Sequence, residues 1–214
     1  MSVLLEGVRK AFNGTPVLSI SRLEIPKAAQ WVVTGASGSG KTTFLNLISG
    51  ILAPDAGTIT VAGTAITSLS EAERDRFRAR KIGFVFQTFN LLQGFTALEN
   101  VLLGMLFAAG VDRGRAEALL DRVGLKDRMG YKPSELSVGQ QQRVAIARAL
   151  ANKPEVILAD EPTGNLDPKT GESVVQLLKE VCREGGETLV LVSHQPQVMQ
   201  SFKDVTDLSC LSGK

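Results

Sequence analysis

Cysteine is scarce in this chain: only Cys182 and Cys210 are present, far apart and without the spacing of a metal site. The pair therefore reads as free thiols in a reducing compartment rather than as a disulfide framework. Histidine is scarcer still, His194 being the only one. An excess of one charge sign is also missing. The 24 Lys and Arg against 22 Asp and Glu leave a net charge of +2, too small to give a nucleic-acid footprint, so no nucleic-acid partner is expected. The longest apolar run, residues 101–111 (VLLGMLFAAGV), is too short to span a bilayer. The opening MSVLLEGVRK holds no apolar segment long enough for a signal peptide. Internal repeats and low-complexity segments are absent as well. What remains is an ordinary globular composition, 43% hydrophobic and 21% charged over 214 residues, enough to bury a substantial core. Such a chain is expected in the cytoplasm, any membrane role requiring a separate partner.

Against that background, residues 31–50 (WVVTGASGSGKTTFLNLISG) stand out. They predict a buried strand over 31–34, a glycine-rich loop, and a helix opening near Lys41. Gly35, Gly40, Lys41 and Thr42 fit the phosphate-loop pattern G-x-x-x-x-G-K-[ST]. Glycines let backbone N–H groups wrap an anion, with the helix N-terminus adding partial positive charge behind them. Ala36, Ser37, Gly38, Ser39 and Thr43 complete the cradle. Lys41 can reach the terminal phosphates, and the Thr42 hydroxyl can ligate Mg²⁺.

The remaining pattern is of alternating strands and helices. Residues 3–8 and 17–25 predict strands around an Asn13-Gly14 turn, with Phe12 either packing the turn or offering a platform for a purine. Further strands are expected at 58–61, 82–86, 156–159 and 188–192, with a strand-like stretch at 205–208. Helices are expected over 43–49, from a Ser70/Glu73 capping box, over 101–109 behind a Thr96/Glu99 capping box, over 112–123, after Ser137, and over 169–184 behind an Asp167-Pro168 cap. Short apolar strands alternating with helices predict a mostly parallel sheet covered on both faces. No strand is expected between Thr88 and Asn152. The chain is thus expected to be α/β: a catalytic core over 1–87 and 153–214, N-terminal antiparallel strands, and an inserted helical subdomain over 88–152.

Other residues point to chemistry at the same sheet edge. Asp160 follows four apolar residues, VILA, and belongs at the carboxyl end of a buried strand, where a carboxylate can hold Mg²⁺. Glu161, next in line, can accept a proton from an attacking water. His194 follows another buried strand and can bond a phosphate or orient that water. Asn152-Lys153-Pro154-Glu155 approaches the guanine-reading N-K-x-D, but ends in Glu and precedes the Asp160 strand. Ser137, Gly139 and Gln140, in LSVGQ at a helix N-terminus, form a second phosphate-binding surface. Two such surfaces for one nucleotide point to a dimer whose copies share their sites.

Taken in order, these motifs resemble the ATP-binding-cassette (ABC) ATPases over essentially the whole chain. Residues 35–42 resemble the Walker A motif, and Gln87 stands at the Q-loop glutamine. Residues 136–140 resemble the signature, 156–161 the Walker B strand with its glutamate, 165–167 the D-loop, and His194 the switch histidine. Phe12 lies where the family stacks adenine. EPTGNLD, QTFNLLQGFTALENV and PSELSVGQQQRVAIARAL look most like the lipoprotein-release and macrolide-export branch, which also includes cell-division ATPases. The resemblance implies a phosphate-loop ATPase working on ATP and Mg²⁺, with two cassettes closing head to tail so that each ATP lies between Walker A of one and the signature of the other. It implies Glu161 as general base, His194 on the γ-phosphate, Gln87 on Mg²⁺ and the lytic water, Asp167 signalling across the dimer, and Lys41 at the phosphates. The implied partners are integral membrane permease subunits docked by the helical insert and its 89–95 loop. That would hold the chain peripherally on the inner face of the cell membrane, driving export or lipoprotein extrusion. The alternative is a cell-division-type signalling cassette that moves no solute. One position departs from the family: Val138 replaces the central glycine of the signature.

Overall fold

Four apolar segments form the spine of the protein. A computed structural model describes residues 1–108 and 110–211; Ala109, the last residue of the helix expected over 101–109, and residues 212–214 of the expected core lie outside them. In chain order, β3 (Gln30–Thr34), β6 (Ile82–Val85), β7 (Val156–Asp160), β8 (Thr188–Val192) and β9 (Asp204–Asp207) make a five-stranded sheet in the order β6-β7-β8-β3-β9. Every pairing in it is parallel.

Alternate residues of the central strands enter two different cores. Val32, Ile157, Ala159, Leu189 and Leu191 face one. Val33, Val156, Leu158, Val190 and Val192 face the other. With both faces covered, these strands read as continuous apolar runs rather than alternating ones. Fully burying each such side chain is worth about 1.5–3 kcal/mol.

On the first face lie α3 (Ala97–Met105), α4 (Arg113–Arg122), α5 (Val138–Leu150) and α6 (Pro168–Gly185). α6 buries Val174, Val175, Leu178, Val181 and Cys182 along one stripe, and burial drives the Cys182 thiol above its ordinary range. The second face is covered by α1 (Lys41–Ile48), through Phe44, Leu45, Leu47 and Ile48, and by an antiparallel sheet. That sheet joins β1 (Val3–Phe12), β2 (Thr15–Ile25), β4 (Ala56–Val61) and β5 (Thr64–Ala65) in the order β2-β1-β4-β5. The remaining helices are α2 (Glu71–Lys81), which carries the expected Ser70/Glu73 capping box, α7 (Pro196–Gln200) and α8 (Leu208–Leu211). Among the described residues, 88–152 contain helices and turns but no strand.

One helix begins earlier than its apolar run suggests. α3 starts at Ala97, directly after its Thr96 cap, because the capping box with Glu99 sets the first turn and buries Ala97 and Leu98. The cap decided the start; the apolar periodicity beginning at Val101 did not.

Close packing of α5 on the sheet depends on Gly83 in β6. A Cβ there would lie 2.3 Å from the Ala149 carbonyl oxygen and 2.5 Å from Ile157 Cδ1. Gly83→Ala is therefore expected to destabilise the chain by about 1–3 kcal/mol, the usual cost of overpacking. Denaturant unfolding checks this through a lower midpoint at unchanged slope.

Candidate active site

All five parallel strands end on one edge, and their register aligns the residues just beyond them. Val85 pairs beside Ala159, and Asp160 beside Val192, which is level with Val33. Gln87, Glu161, His194 and Gly35 therefore leave the sheet within two residues of a common edge, the place where open α/β sheets receive ligands.

Between β3 and α1 the chain passes through the glycine-rich loop. Gly40, at φ 93°, is the N-cap residue of α1 and brings no side chain to cap it; the first turn holds no acidic residue. A Cβ on Gly40 would come within 3.0 Å of Val17 and 3.1 Å of Leu18, so β2 backs the loop. The starts of α3, α4, α5 and α6 are treated differently: Thr96, Asp112, Ser137 and Asp167 each accept the N–H three residues on. The amides at the start of α1 are thus left for an anion, with the helix dipole behind them.

Side chains complete the cradle. Lys41 Nζ donates to the Gly35 carbonyl at 2.9 Å and the Ala36 carbonyl at 3.0 Å, folding the ammonium across the loop. Ala36, Ser37 and Gly38 are exposed, while Ser39 and Thr43 are partly buried. Ser39 Oγ is buried without a hydrogen-bond partner among the described residues. The Thr42 hydroxyl lies near enough to the Asp160 carboxylate to favour its charged form.

Asp160 sits where burial disfavours its charge. Desolvation raises its pKa most, and the neighbouring Glu161 raises it further, while Thr42 and Lys41 pull it down; the net direction is up from 3.8. The folded chain therefore holds this proton more tightly than the unfolded chain, and stability is lost as pH rises through the window above 3.8. Asp160→Asn is expected to raise the melting temperature of the nucleotide-free chain by a few degrees near neutral pH. The gain should vanish below that window, as thermal scans at the two pH values would show.

Glu161 is 91% buried and stands at φ 44°, a left-handed conformation costing about 1–3 kcal/mol for such a residue. Its backbone is fixed at both ends: its N–H donates to the Val192 carbonyl at 3.1 Å, and its carbonyl accepts from Gly164 N–H at 2.9 Å. Oε1 lies 2.7 Å from Nδ1 of the exposed His194. With Glu161 ionised, Nδ1 carries a proton and donates it, and Nε2 is a second donor whenever the ring carries both protons. Oε2 is buried without a partner among the described residues. The edge thus holds a carboxylate with one oxygen oriented by a histidine and the other buried without a protein partner among the described residues.

Gln87, Asp167 and Phe12 stand on three different segments. Gln87 is exposed beyond β6, its carbonyl accepting from Asn165 Nδ2 at 2.9 Å. Asp167 caps α6 by accepting from Thr170 N–H at 3.1 Å, and bonding to Thr170 holds its carboxyl below the usual range. Phe12 is 46% exposed at the β1–β2 turn, with Lys10 Nζ 5.6 Å from its ring centroid. A cleft of about 580 Å³ between α6 and α7 borders the edge through Thr163, Asp167 and Gln195 but touches none of Lys41, Thr42 or Asp160.

Ser137, Gly139 and Gln140 stand apart: no hydrogen bond among the described residues joins them to the loop. Ser137 and Gln140 form a reciprocal capping box, 2.9 and 3.3 Å, at the start of α5. Gly139 is required by packing as well, because a Cβ there would come within 2.6 Å of Thr170 Cγ2. Val138 occupies the first helical position of α5, half-exposed, where a β-branched side chain meets no backbone conflict.

A phosphate loop at an uncapped helix, a buried glutamate at a strand end and an aligned histidine define a phosphate-loop nucleoside triphosphatase. The family profile described as ABC transporter matches residues 18–164, and the chain belongs to that family as an ATP-hydrolysing cassette. Its relatives agree along nearly the whole length. The lipoprotein-releasing system ATP-binding protein LolD of Shewanella sp. (strain MR-4) is 45% identical over 202 residues, covering 91% of this chain and 87% of that protein. LolD 1 of Caulobacter vibrioides is 46% identical over 200 residues, covering 90% and 86%. Among solved structures, a dimeric post-hydrolysis state of the ATP-binding cassette MJ0796 bound to ADP and Pi is 42% identical, with a TM-score of 0.82 over 92% of this chain and 89% of that one. A second dimeric structure, of MJ0796 as a bacterial ABC transporter cassette, gives 41% identity and a TM-score of 0.85 over 96% and 93%. Among the described residues no helix is long and apolar enough to cross a membrane.

Proposed function

We propose that two copies of this chain close head to tail around two ATP, each ATP held between residues 35–42 of one copy and Ser137, Gly139 and Gln140 of the other. Hydrolysis then resets the pair. The observation that carries the reading is Glu161: buried, held by His194 through Oε1, and left with Oε2 unpartnered on the edge of the phosphate loop. Oε2 takes the proton of a water as its oxygen attacks the γ-phosphorus, and the bond to the β-phosphate oxygen breaks. His194 holds the glutamate and meets the γ-phosphate through Nε2. Lys41 balances phosphate charge, the adenine lies against Phe12, and Asp167 lies where the copies meet.

Mg²⁺ fits the groups present. Thr42 and Asp160 already converge as a hydroxyl–carboxylate pair, both hard oxygen donors, and the Asp160 carboxyl is one whose charge a cation would relieve. Gln87 would join them. When bound, the ion supplies charge neutralisation to the phosphates.

The work is delivered to integral membrane permease subunits. Residues 88–152 act as the helical subdomain that meets them, with 1–87 and 153–214 as the catalytic core. Phe95, Leu106 and Val111 are exposed apolar residues that line, with Glu99, Leu102 and Leu103, a groove of about 140 Å³, and Leu92 and Phe107 are further exposed apolar residues of the same stretch of chain. A contiguous apolar face of this kind favours a protein partner. The chain would thus sit on the inner face of the cell membrane. The LolD names of its relatives favour release or export of a lipoprotein-like cargo over a signalling role.

The test is the dependence of ATPase rate on protein concentration. A site shared between copies predicts a specific activity that rises with concentration before levelling. A specific activity constant across the range would contradict the shared site.

A further inference from the structure

The segment that carries Gln87 has no regular structure, yet side chains from three elements hold its backbone. Asn165 Nδ2 donates to the Gln87 carbonyl at 2.9 Å. Arg148, near the end of α5, donates Nη2 to the Phe89 carbonyl at 2.6 Å and Nη1 to the Asn90 carbonyl at 2.5 Å. Asn100, buried in α3, accepts the Leu92 N–H at 2.8 Å.

The grip of Arg148 is the unusual one. Phe89 and Asn90 both lie in the left-handed region, at φ 57° and 51°. Two successive L residues in that region persist only where the surroundings hold them. Arg148 forms no ion pair among the described residues, and burial pulls its pKa down. A largely buried charge whose partners are two carbonyls is a poor stabiliser, so its value lies in geometry: the planar fork fixes two acceptors at once. Its stem is fixed too, since a Cβ on Gly104 of α3 would meet Arg148 Cγ at 2.9 Å.

We propose that Arg148 is a positioning residue for ATP hydrolysis, gripping the Phe89 and Asn90 carbonyls so that the place of Gln87 at the site follows the place of α3 and α5. The proposal rests on the reading of Gln87 as part of the hydrolytic site. Because Ser137 caps the start of α5, a shift of that end on meeting a second copy is passed along the helix to Arg148 and so to Gln87.

The test is a double-variant cycle on the full chain: Gln87→Ala, Arg148→Lys and both together, read by ATP hydrolysis, melting temperature and hydrogen exchange of amides 88–91. Lysine keeps the charge and the stem but lacks the fork. Arg148→Lys is expected to lower kcat at least about tenfold with KM for ATP within about twofold, and to speed exchange of those amides about tenfold. The double variant should be no worse than the poorer single one, because both act through Gln87. Losses that multiply in the double variant, or full kcat in Arg148→Lys, would overturn the positioning role. Undiminished kcat in Gln87→Ala would instead overturn the role of Gln87, and the proposal with it; faster exchange in Arg148→Lys would then mean that Arg148 only braces the loop. If Arg148→Lys does not fold, Asn165→Ala takes its place in the same cycle, since that exposed side chain grips the same segment; its expected loss is about threefold, judged by the same criteria.

Discussion

Glu161→Gln is expected to reduce ATP turnover by at least about a hundredfold while ATP binding persists, the loss expected on removal of a general base. The amide is nearly the size of the carboxylate, and its oxygen can still accept from His194 Nδ1 as Oε1 does now at 2.7 Å. What it cannot do is take a proton at the position of Oε2. The left-handed backbone at Glu161 is held by the Val192 carbonyl and the Gly164 N–H, so the substitution leaves that geometry alone. Phosphate release gives the turnover, and quenching of a fluorescent ATP analogue gives the binding. A Glu161→Gln chain with more than a tenth of wild-type turnover would remove Glu161 from the chemistry.

Lys41→Ala has the second large expected effect, this time on binding. A charge-assisted hydrogen bond is worth about 1.5–3 kcal/mol, so losing the ammonium should weaken ATP about ten- to a hundredfold. Without nucleotide the same residue does little for the fold: its two bonds go to carbonyls of its own loop. Melting temperature should therefore barely change in the empty chain, while the shift that ATP produces in the wild type disappears. Loss of the empty chain's stability instead would make Lys41 a structural brace.

The parts of the site that sequence could announce are those fixed by local geometry. Gly35 to Thr42 follow from one strand–loop–helix unit, and Asp160, Glu161 and His194 from the rule that parallel strands end on one edge. The expected caps at Ser70, Thr96, Ser137 and Asp167 all appear, because a cap depends on residues three apart. Contacts between distant segments stayed out of reach. The 2.7 Å contact of Glu161 with His194 depends on β7 lying beside β8, 33 residues apart in sequence. The packing of Gly139 against Thr170, and the hold of Arg148 on Phe89 and Asn90, likewise arise only when α5 meets α6 and the Gln87 segment. Arg148 was hidden for a further reason: within VAIARAL it looks like one polar position on an apolar helix. The short helix α7 offered too few residues for a periodicity to show.

On the proposed mechanism, one chain holds half a site. The fixed parts, Lys41, Thr42, Asp160, Glu161 and His194, belong to one copy, while Ser137 and Gly139 of that copy open on a separate surface. The most direct measurement is the solution mass of Glu161→Gln by light scattering, with and without ATP. The expected result is the mass of one 22.9 kDa chain without nucleotide and twice that mass with ATP, the doubling being lost when Ser137→Arg is added. A mass that stays at one chain with ATP saturating would contradict the shared site.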